Sequence, residues 1–213
     1  MTSYSAVGRD ALALAAFDRA KRLSPESADV RAYLGLHLAR GARWIDAIPL
    51  LERAEAEFSD RLPVLEALAR LREREHRPAD AIGLWSRIHA LRAPRPGERA
   101  RVGLLAMDAE KTPLALQAFE DERAREPAAF TNNLELGVLY LSARRFEDAR
   151  DALDRVSPRH PAYPMALFKR AQVSVLLKEP DQTARIETAK RHADAVTRPL
   201  IERERLFQAT RGQ

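Results

Sequence analysis

The chain has 213 residues, of which 46% are hydrophobic and 31% are charged, and it contains no cysteine. This apolar fraction suffices for a packed core and excludes a disordered chain. The absence of cysteine excludes disulfides, thiolate metal sites and cysteine nucleophiles. The net charge of +5 is the difference between 36 basic and 31 acidic residues, a mixture typical of solvated helix faces rather than of a nucleic-acid-binding surface.

The sequence has no apolar run as long as the roughly 18 residues that a membrane span requires. We therefore predict no membrane-spanning segment. The lack of cysteine fits a reducing cytoplasm, and we expect a cytoplasmic protein. An upstream targeting sequence would be missing from this chain if the chain is truncated.

Similar residues recur along the chain at intervals of 34. One set of positions holds small residues, namely Gly35, Ala69, Gly103, Gly137 and Ala171. A second set holds the alanines Ala13, Ala47, Ala81, Ala115 and Ala149, each followed four residues later by a bulky apolar side chain. Within each period the apolar residues are three and four apart, which predicts two helices per repeat.

In chain order, this period divides the sequence into repeats that we expect to form one solenoid domain. They are a partial N-terminal repeat (1–27), four full repeats (28–61, 62–95, 96–129 and 130–163), a degenerate terminal repeat (164–197) and a C-terminal capping helix (198–213). Met1 interrupts the first helix of the partial repeat, so the chain is either a piece of a longer array or begins with a frayed helix. Pro49 predicts that its helix starts late, near Asp46, or has a local kink.

The glycine of the fourth full repeat lies inside an apolar helical run, where glycine costs about 1 kcal/mol relative to alanine. Its recurrence every 34 residues indicates a packing requirement. We predict that Gly137 on the first helix and Ala149 on the second helix let the two helices approach closely. Leu153 then fills the space beside them.

The residues LGVLY (136–140), ARDAL (149–153) and Pro161 resemble the tetratricopeptide repeat family, whose 34-residue unit is a helix-turn-helix. The second full repeat diverges, with Ala69 in place of glycine and Arg72 in place of tyrosine. The resemblance covers nearly the whole chain. It implies an all-α, right-handed α-solenoid of antiparallel helix pairs that binds proteins and catalyses no reaction.

In this family the first helices line a concave groove in which ligands usually lie. The period predicts that the early part of the groove is charged and the later part apolar. The candidate partner-binding residues are Arg40, Glu66, Arg70, Arg74, Leu104, Met107, Leu134, Val138, Leu141, Phe168 and Val175. An apolar wall with a charged rim suits an amphipathic helix or an extended apolar peptide.

The sequence offers no constellation of catalytic, metal-ligating or cofactor-binding residues. It lacks a glycine-rich phosphate loop and an H-E-x-x-H motif, and its five histidines share no metal-ligand spacing. The arginine-rich stretch LRAPRPGERAR (91–101) raises nucleic-acid binding as an alternative. No aromatic residues for base stacking are interleaved with these arginines, so we favour a solvated turn between repeats.

The function that the sequence favours is a non-enzymatic scaffold or adaptor that binds a partner protein in its groove. The alanine- and arginine-rich composition is typical of bacteria, where such repeat proteins assist pilus, secretion, motility or signalling assemblies. Two alternatives stay open. The apolar surface could be core that packs helix on helix or lies under the C-terminal helix, or it could mediate self-association as a homo-oligomer within a larger repeat protein.

Overall fold

A computed structural model of the chain describes residue 15, residues 18–20 and 22–24, and residues 27–209. All of its regular secondary structure over these residues is helical. The expectations for the partial N-terminal repeat, including its cut first helix, lie outside the described residues. From residue 28 onward the helices fall into two compact units, which divide between Glu110 and Lys111. This boundary separates the two helices of the predicted repeat 96–129.

From residue 28 onward, the described part of unit 1 contains two helix pairs and one further helix. Its helices are α1 (Ala28–Arg40), α2 (Trp44–Glu57), α3 (Leu62–Arg74), α4 (Pro78–Leu91) and α5 (Glu98–Asp108). The paired helices are joined by three-residue turns, and α1 packs against α2 as α3 packs against α4. Connections this short produce antiparallel neighbours. The predicted helix-turn-helix repeats are confirmed in this unit.

The part of unit 2 that the structure describes, residues 111–209, contains seven helices. They are α6 (Thr112–Arg125), α7 (Asn133–Ser142), α8 (Phe146–Leu153), α9 (Tyr163–Leu176), α10 (Gln182–Arg191), α11 (Thr197–Arg203) and α12 (Arg205–Ala209). Again α7 packs against α8 and α9 packs against α10. The predicted C-terminal capping helix is two short helices instead of one, because the chain turns to an extended conformation at Glu204.

The predicted close approach of the paired helices is present in both units. A Cβ atom added to Gly137 would lie 2.6 Å from Cγ of Leu153 and 3.5 Å from the carbonyl oxygen of Ala149. One added to Gly35 would lie 2.7 Å from Cγ of Leu51. The 2.6 and 2.7 Å separations are below van der Waals contact, so a side chain at either glycine requires the facing leucine to shift, whereas the 3.5 Å separation from the backbone is an ordinary contact.

The turn inside each repeat uses the same backbone conformation. Five non-glycine residues spaced 34 apart have φ between 54° and 59°, namely Ala42, His76, Glu110, Arg144 and Lys178. At four of these turns the amide that follows the turn residue closes a Schellman motif; for example, Arg145 donates to the carbonyl of Tyr140 at 2.9 Å, and Arg43 to that of Leu38 at 2.9 Å. The 34-residue period of the sequence is therefore also a period of the backbone.

Two helix details differ from or extend the sequence prediction. The helix that contains Pro49 starts at Trp44, before Asp46, so the predicted late start is wrong. Arg72, which replaces the tyrosine of the repeat pattern, is buried and pairs with Glu52 and with Glu75 at 2.5 Å. Its charge is thereby compensated inside the helix packing, as a buried cation requires.

Candidate functional site

The predicted partner-binding residues lie on the first helices of the repeats, and we call the face of each first helix that carries them its inner face. Unit 1 carries Arg40, Glu66, Arg70, Arg74, Leu104 and Met107 on helices α1, α3 and α5. Unit 2 carries Leu134, Val138, Leu141, Phe168 and Val175 on helices α7 and α9. The two sets differ in chemistry, and each is described within its own unit.

In unit 1 the acidic members of the inner face are paired with arginines from the segment after α4. Glu66 accepts from Arg92 at 2.8 Å and lies 3.3 Å from Arg95. Arg92 also binds both carboxylate oxygens of Glu98, at 2.7 and 2.8 Å. The hydrogen bonds from Arg92 lower the pKa of Glu98 to about 2, which keeps the cluster ionised at neutral pH.

A second acid on the same face, Glu73, also has hydrogen-bond partners within unit 1. Its carboxylate accepts from the indole N–H of Trp85 at 2.7 Å and from Arg101 at 2.9 Å. Nearby, the guanidinium of Arg74 stacks over the ring of Trp44 at 4.2 Å from its centroid. Most charged side chains in the charged part of the predicted groove are therefore already paired with other residues of unit 1.

The remaining inner-face residues of unit 1 are more accessible. Arg70 is exposed, and it has no ion-pair partner among the described residues. Arg40 is exposed and donates to the carbonyl of Leu36 at 3.3 Å. Leu104 retains 42% exposure, and Met107 is half-buried. These side chains present two exposed guanidinium groups and a small apolar area.

In unit 2 the inner face of α7 is apolar and partly open. Val138 and Leu141, three residues apart and so on the same side of the helix, are both half-buried. Leu134, one turn earlier, is only 8% exposed and contributes to the core. This leaves Val138 and Leu141 as the apolar pair that α7 presents.

The inner face of α9 is instead covered by the end of the chain. Phe168 is 3% exposed because the ring of Phe207, from α12, packs edge-on against it at 5.9 Å between centroids. The side-chain amide of Gln172 donates to the carboxylate of Glu204. Val175 packs against the same apolar cluster. The alternative that part of the apolar surface lies under the C-terminal helix therefore holds for Phe168.

Several residues that shape these faces were not among the sequence predictions. The arginine-rich stretch 91–101 was interpreted as a solvated turn, yet the Arg92 side chain is only 16% exposed and joins two glutamates. Phe207 and Trp85 were likewise missed as partners of inner-face residues. For Arg92 and Phe207, an arginine or aromatic residue 26 to 39 positions after an inner-face residue is the sequence signal that could have found them, whereas Trp85 lies only 12 residues after Glu73.

The described residues contain no group of three or more histidine, cysteine, aspartate or glutamate side chains that could hold a metal ion. His89, half-buried on α4, has its ring centroid 5.9 Å from that of Trp85 in a tilted arrangement, and its Nε2 lies 3.4 Å from the carboxylate of Glu98. Burial lowers the pKa of His89 below its usual 6.5. No described helix is both long and apolar enough to cross a membrane.

Comparison with known proteins agrees with the repeat assignment. The tetratricopeptide repeat family model matches residues 102–164 and, in an overlapping register, residues 134–196. No curated protein sequence matches the chain.

Solved structures share the fold at low sequence identity. YrrB, described as a TPR protein with an unusual peptide-binding site, superposes with a TM-score of 0.67 over 92% of this chain and 98% of its own, at 12% identity. MamA superposes with a TM-score of 0.62 over 78% of this chain and 92% of its own, at 15% sequence identity. PilF of Pseudomonas aeruginosa superposes with a TM-score of 0.56 over 99% of this chain and 93% of its own, at 18% sequence identity. The all-α helix-pair fold is thus confirmed, and residues 102–196 match the tetratricopeptide repeat model.

Proposed function

We propose that the chain is a non-enzymatic scaffold that binds a helical or extended segment of a partner protein on the inner face of unit 2. The observation that carries this proposal is the half-buried apolar pair Val138 and Leu141 on α7. Side chains one helical turn apart match the spacing of apolar anchors on an amphipathic helix. Leu104 and Met107 give unit 1 a smaller surface of the same kind.

The repeat family supports the same class of function, since tetratricopeptide repeats typically act as interaction modules rather than catalysts. YrrB, which shares the fold, is described as having an unusual peptide-binding site. We extend this to a cytoplasmic bacterial assembly, such as a pilus, secretion, motility or signalling complex. The rival proposal is that the same apolar surface joins copies of the chain.

Charge should contribute to this binding in a different way from the apolar pair. Most charges on the inner face of unit 1 are already paired, and Arg70 is the cation most available to a partner. Exposed charges of this kind accelerate encounter more than they hold a complex. We therefore assign recognition to the apolar face of unit 2 and steering to Arg70.

The test is a double substitution, Val138→Glu with Leu141→Glu, measured against a partner captured by a photo-crosslinker placed at residue 138. Burying unpaired charges costs several kcal/mol, and 1.4 kcal/mol is about tenfold in affinity, so we expect at least a hundredfold weaker binding. Ile45→Glu is the matched control, because Ile45 is 88% exposed on a second helix. It should change nothing.

Two outcomes would contradict the proposal. If the double glutamate variant loses its helical circular dichroism, Val138 and Leu141 are core residues. If it stays folded and binds the captured partner with unchanged affinity, the inner face of α7 is not the site. Arg70→Glu should reduce the association rate and its salt dependence while leaving the dissociation rate nearly unchanged.

A further inference from the structure

The C-terminal segment, residues 197–209, occupies part of the surface to which we assign partner binding. After the break at Glu204 it forms α12, a helix of only five residues. A helix this short has no stability of its own in water. Its position on α9 therefore depends on the contacts that it makes there.

Ile201 and Leu206 add apolar contacts to the same cluster, but the specific side-chain contacts to α9 come from two residues three positions apart. Phe207 packs against Phe168 and is 5% exposed. Glu204 accepts a hydrogen bond from the Gln172 amide and also caps α12 by accepting from the amide of Leu206 at 3.1 Å. An acid followed three residues later by an aromatic side chain is thus the pattern that this surface accommodates.

The C-terminal segment leaves one polar group of this surface without a hydrogen bond. The side-chain oxygen of Gln172 is buried and has no hydrogen-bond partner among the described residues. Since the carboxylate of Glu204 can only accept, the amide nitrogen of Gln172 must face it, and the oxygen is left for another donor. A buried acceptor without a donor weakens the present arrangement.

The surroundings favour a larger, acidic occupant. The ammonium of Lys169 lies 5.1 Å from the centroid of the Phe168 ring, which places a cation beside the aromatic contact. The neighbouring helix α7 contacts α9 and presents Val138 and Leu141, which the C-terminal segment leaves half-exposed. A longer helix could cover both first helices, whereas α12 covers one.

We propose that the C-terminal segment is a tethered occupant that a partner helix displaces from the inner face of α9. The partner helix carries an acid and an aromatic residue in the spacing of Glu204 and Phe207, with a hydrogen-bond donor directed at the Gln172 oxygen. This inference rests on the proposed function and specifies the chemistry of the partner.

The test uses the full-length chain and a labelled peptide with the sequence of residues 197–209, TRPLIERERLFQA. In the intact protein the tethered segment competes with the peptide. Phe207→Ala in the protein removes this competitor, so we expect the peptide to bind about tenfold more tightly, measured by fluorescence anisotropy. A peptide carrying Phe207→Ala should not bind.

A second protein variant locates the binding surface. Adding Gln172→Glu to the Phe207→Ala protein places a carboxylate opposite the acid of the peptide, and binding should weaken about tenfold. Gln117→Glu is the matched control, since Gln117 is exposed on α6. It should leave the affinity for the peptide unchanged.

Several results would overturn the inference. If Phe207→Ala abolishes hydrogen-exchange protection in α9 and α10, the milder Glu204→Ala protein is used, which keeps the aromatic contact. If that protein also fails to bind the peptide better than the unmodified chain, the segment is a permanent cap. Equal binding to the unmodified and Phe207→Ala proteins means that the segment is no competitor.

A concentration-dependent dimer that the peptide dissociates would identify a second copy of the chain as the occupant and would also overturn the inference. The proposed function fails separately, through the Val138 and Leu141 substitutions. If those substitutions still abolish partner binding while the peptide binds the unmodified and Phe207→Ala proteins with equal affinity, only the displacement inference is wrong.

Discussion

The inner faces of the two units show how one repeat plan supports different surfaces. Both units share the glycine-to-leucine contact, Gly35 with Leu51 and Gly137 with Leu153. In unit 1 the inner face is charged, and its carboxylates are bound by arginines that follow α4. In unit 2 it is apolar, half-open on α7 and covered on α9. The residues packed between paired helices are alike in the two units, whereas the residues on the inner faces differ.

The largest expected effect comes from disrupting the shared contact. In Gly137→Leu the new side chain must displace Leu153, whose Cγ and Cδ2 would lie within 3 Å of the added Cβ. Overpacking typically costs about 1–3 kcal/mol, and we expect the upper end. Urea unfolding followed by hydrogen exchange should show the loss in α7 to α10, since repeats couple mainly to their neighbours.

Two controls sharpen this prediction. Adding Leu153→Ala should recover part of the stability, because it removes the side chain that clashes. The two tryptophans, Trp44 and Trp85, both lie in unit 1, so their fluorescence should be unchanged. Unaltered protection of α7 and α8 in Gly137→Leu would show that the helices do not require a glycine there.

Acid should affect unit 1 through the arginine–glutamate cluster. The pKa of Glu98 is about 2 in the folded chain and 4.5 ordinarily, so its contribution is present above pH 4.5 and is lost as the pH falls towards 2. The lowered pKa of His89 acts in the same direction below pH 6.5. We expect a loss of about 2 kcal/mol, followed by Trp85 fluorescence. Glu98→Gln should flatten the decline, and an equally steep decline would contradict the role of Glu98.

Alkali should affect unit 2 through a buried phenol. Tyr140 donates to Glu120 at 2.9 Å and accepts from Arg123 at 2.9 Å, and burial raises its pKa from 10.0 to about 12. A raised pKa stabilises the fold below pH 10, and this contribution disappears as the pH rises through 12. We expect about 1–2 kcal/mol after screening. Tyrosinate absorbance gives the titration, and Tyr140→Phe should be stable to higher pH; ionisation near 10 in the folded chain would refute the prediction.

The sequence predicted the features that repeat and missed those that occur once. The 34-residue period located the helix pairs and the glycine contact, because both follow from local periodicity. The pairing of Glu66 with Arg92, and of Gln172 with Glu204, joins residues 26 and 32 positions apart. Such contacts depend on how a connecting segment folds back, which periodicity does not encode. The helix that contains Pro49 starts at Trp44, 34 residues before the start of α4 at Pro78, so it keeps the repeat period despite the proline.

The smallest expected effect is a gain in stability at the turns, which both units share. A non-glycine residue in the left-handed region costs about 1–2 kcal/mol, whereas glycine adopts it freely but loses more conformational freedom on folding. Arg144 has a φ of 59° and is exposed, so Arg144→Gly should stabilise unit 2 by about 0.5–1 kcal/mol. Ala42→Gly, at φ 58°, should do the same in unit 1.

The residue just before the turn provides a control of opposite sign. Ala143 has a φ of −81°, which alanine adopts without strain, so Ala143→Gly should destabilise the chain by about 0.5–1 kcal/mol. The measurement is the midpoint of urea unfolding for the two neighbouring variants. If glycine at 143 and glycine at 144 shift the midpoint in the same direction, the turn does not use its left-handed residue as the backbone period implies. Opposite shifts at residues 143 and 144, together with a gain in stability from Ala42→Gly, would show that both units carry the same backbone strain at this turn.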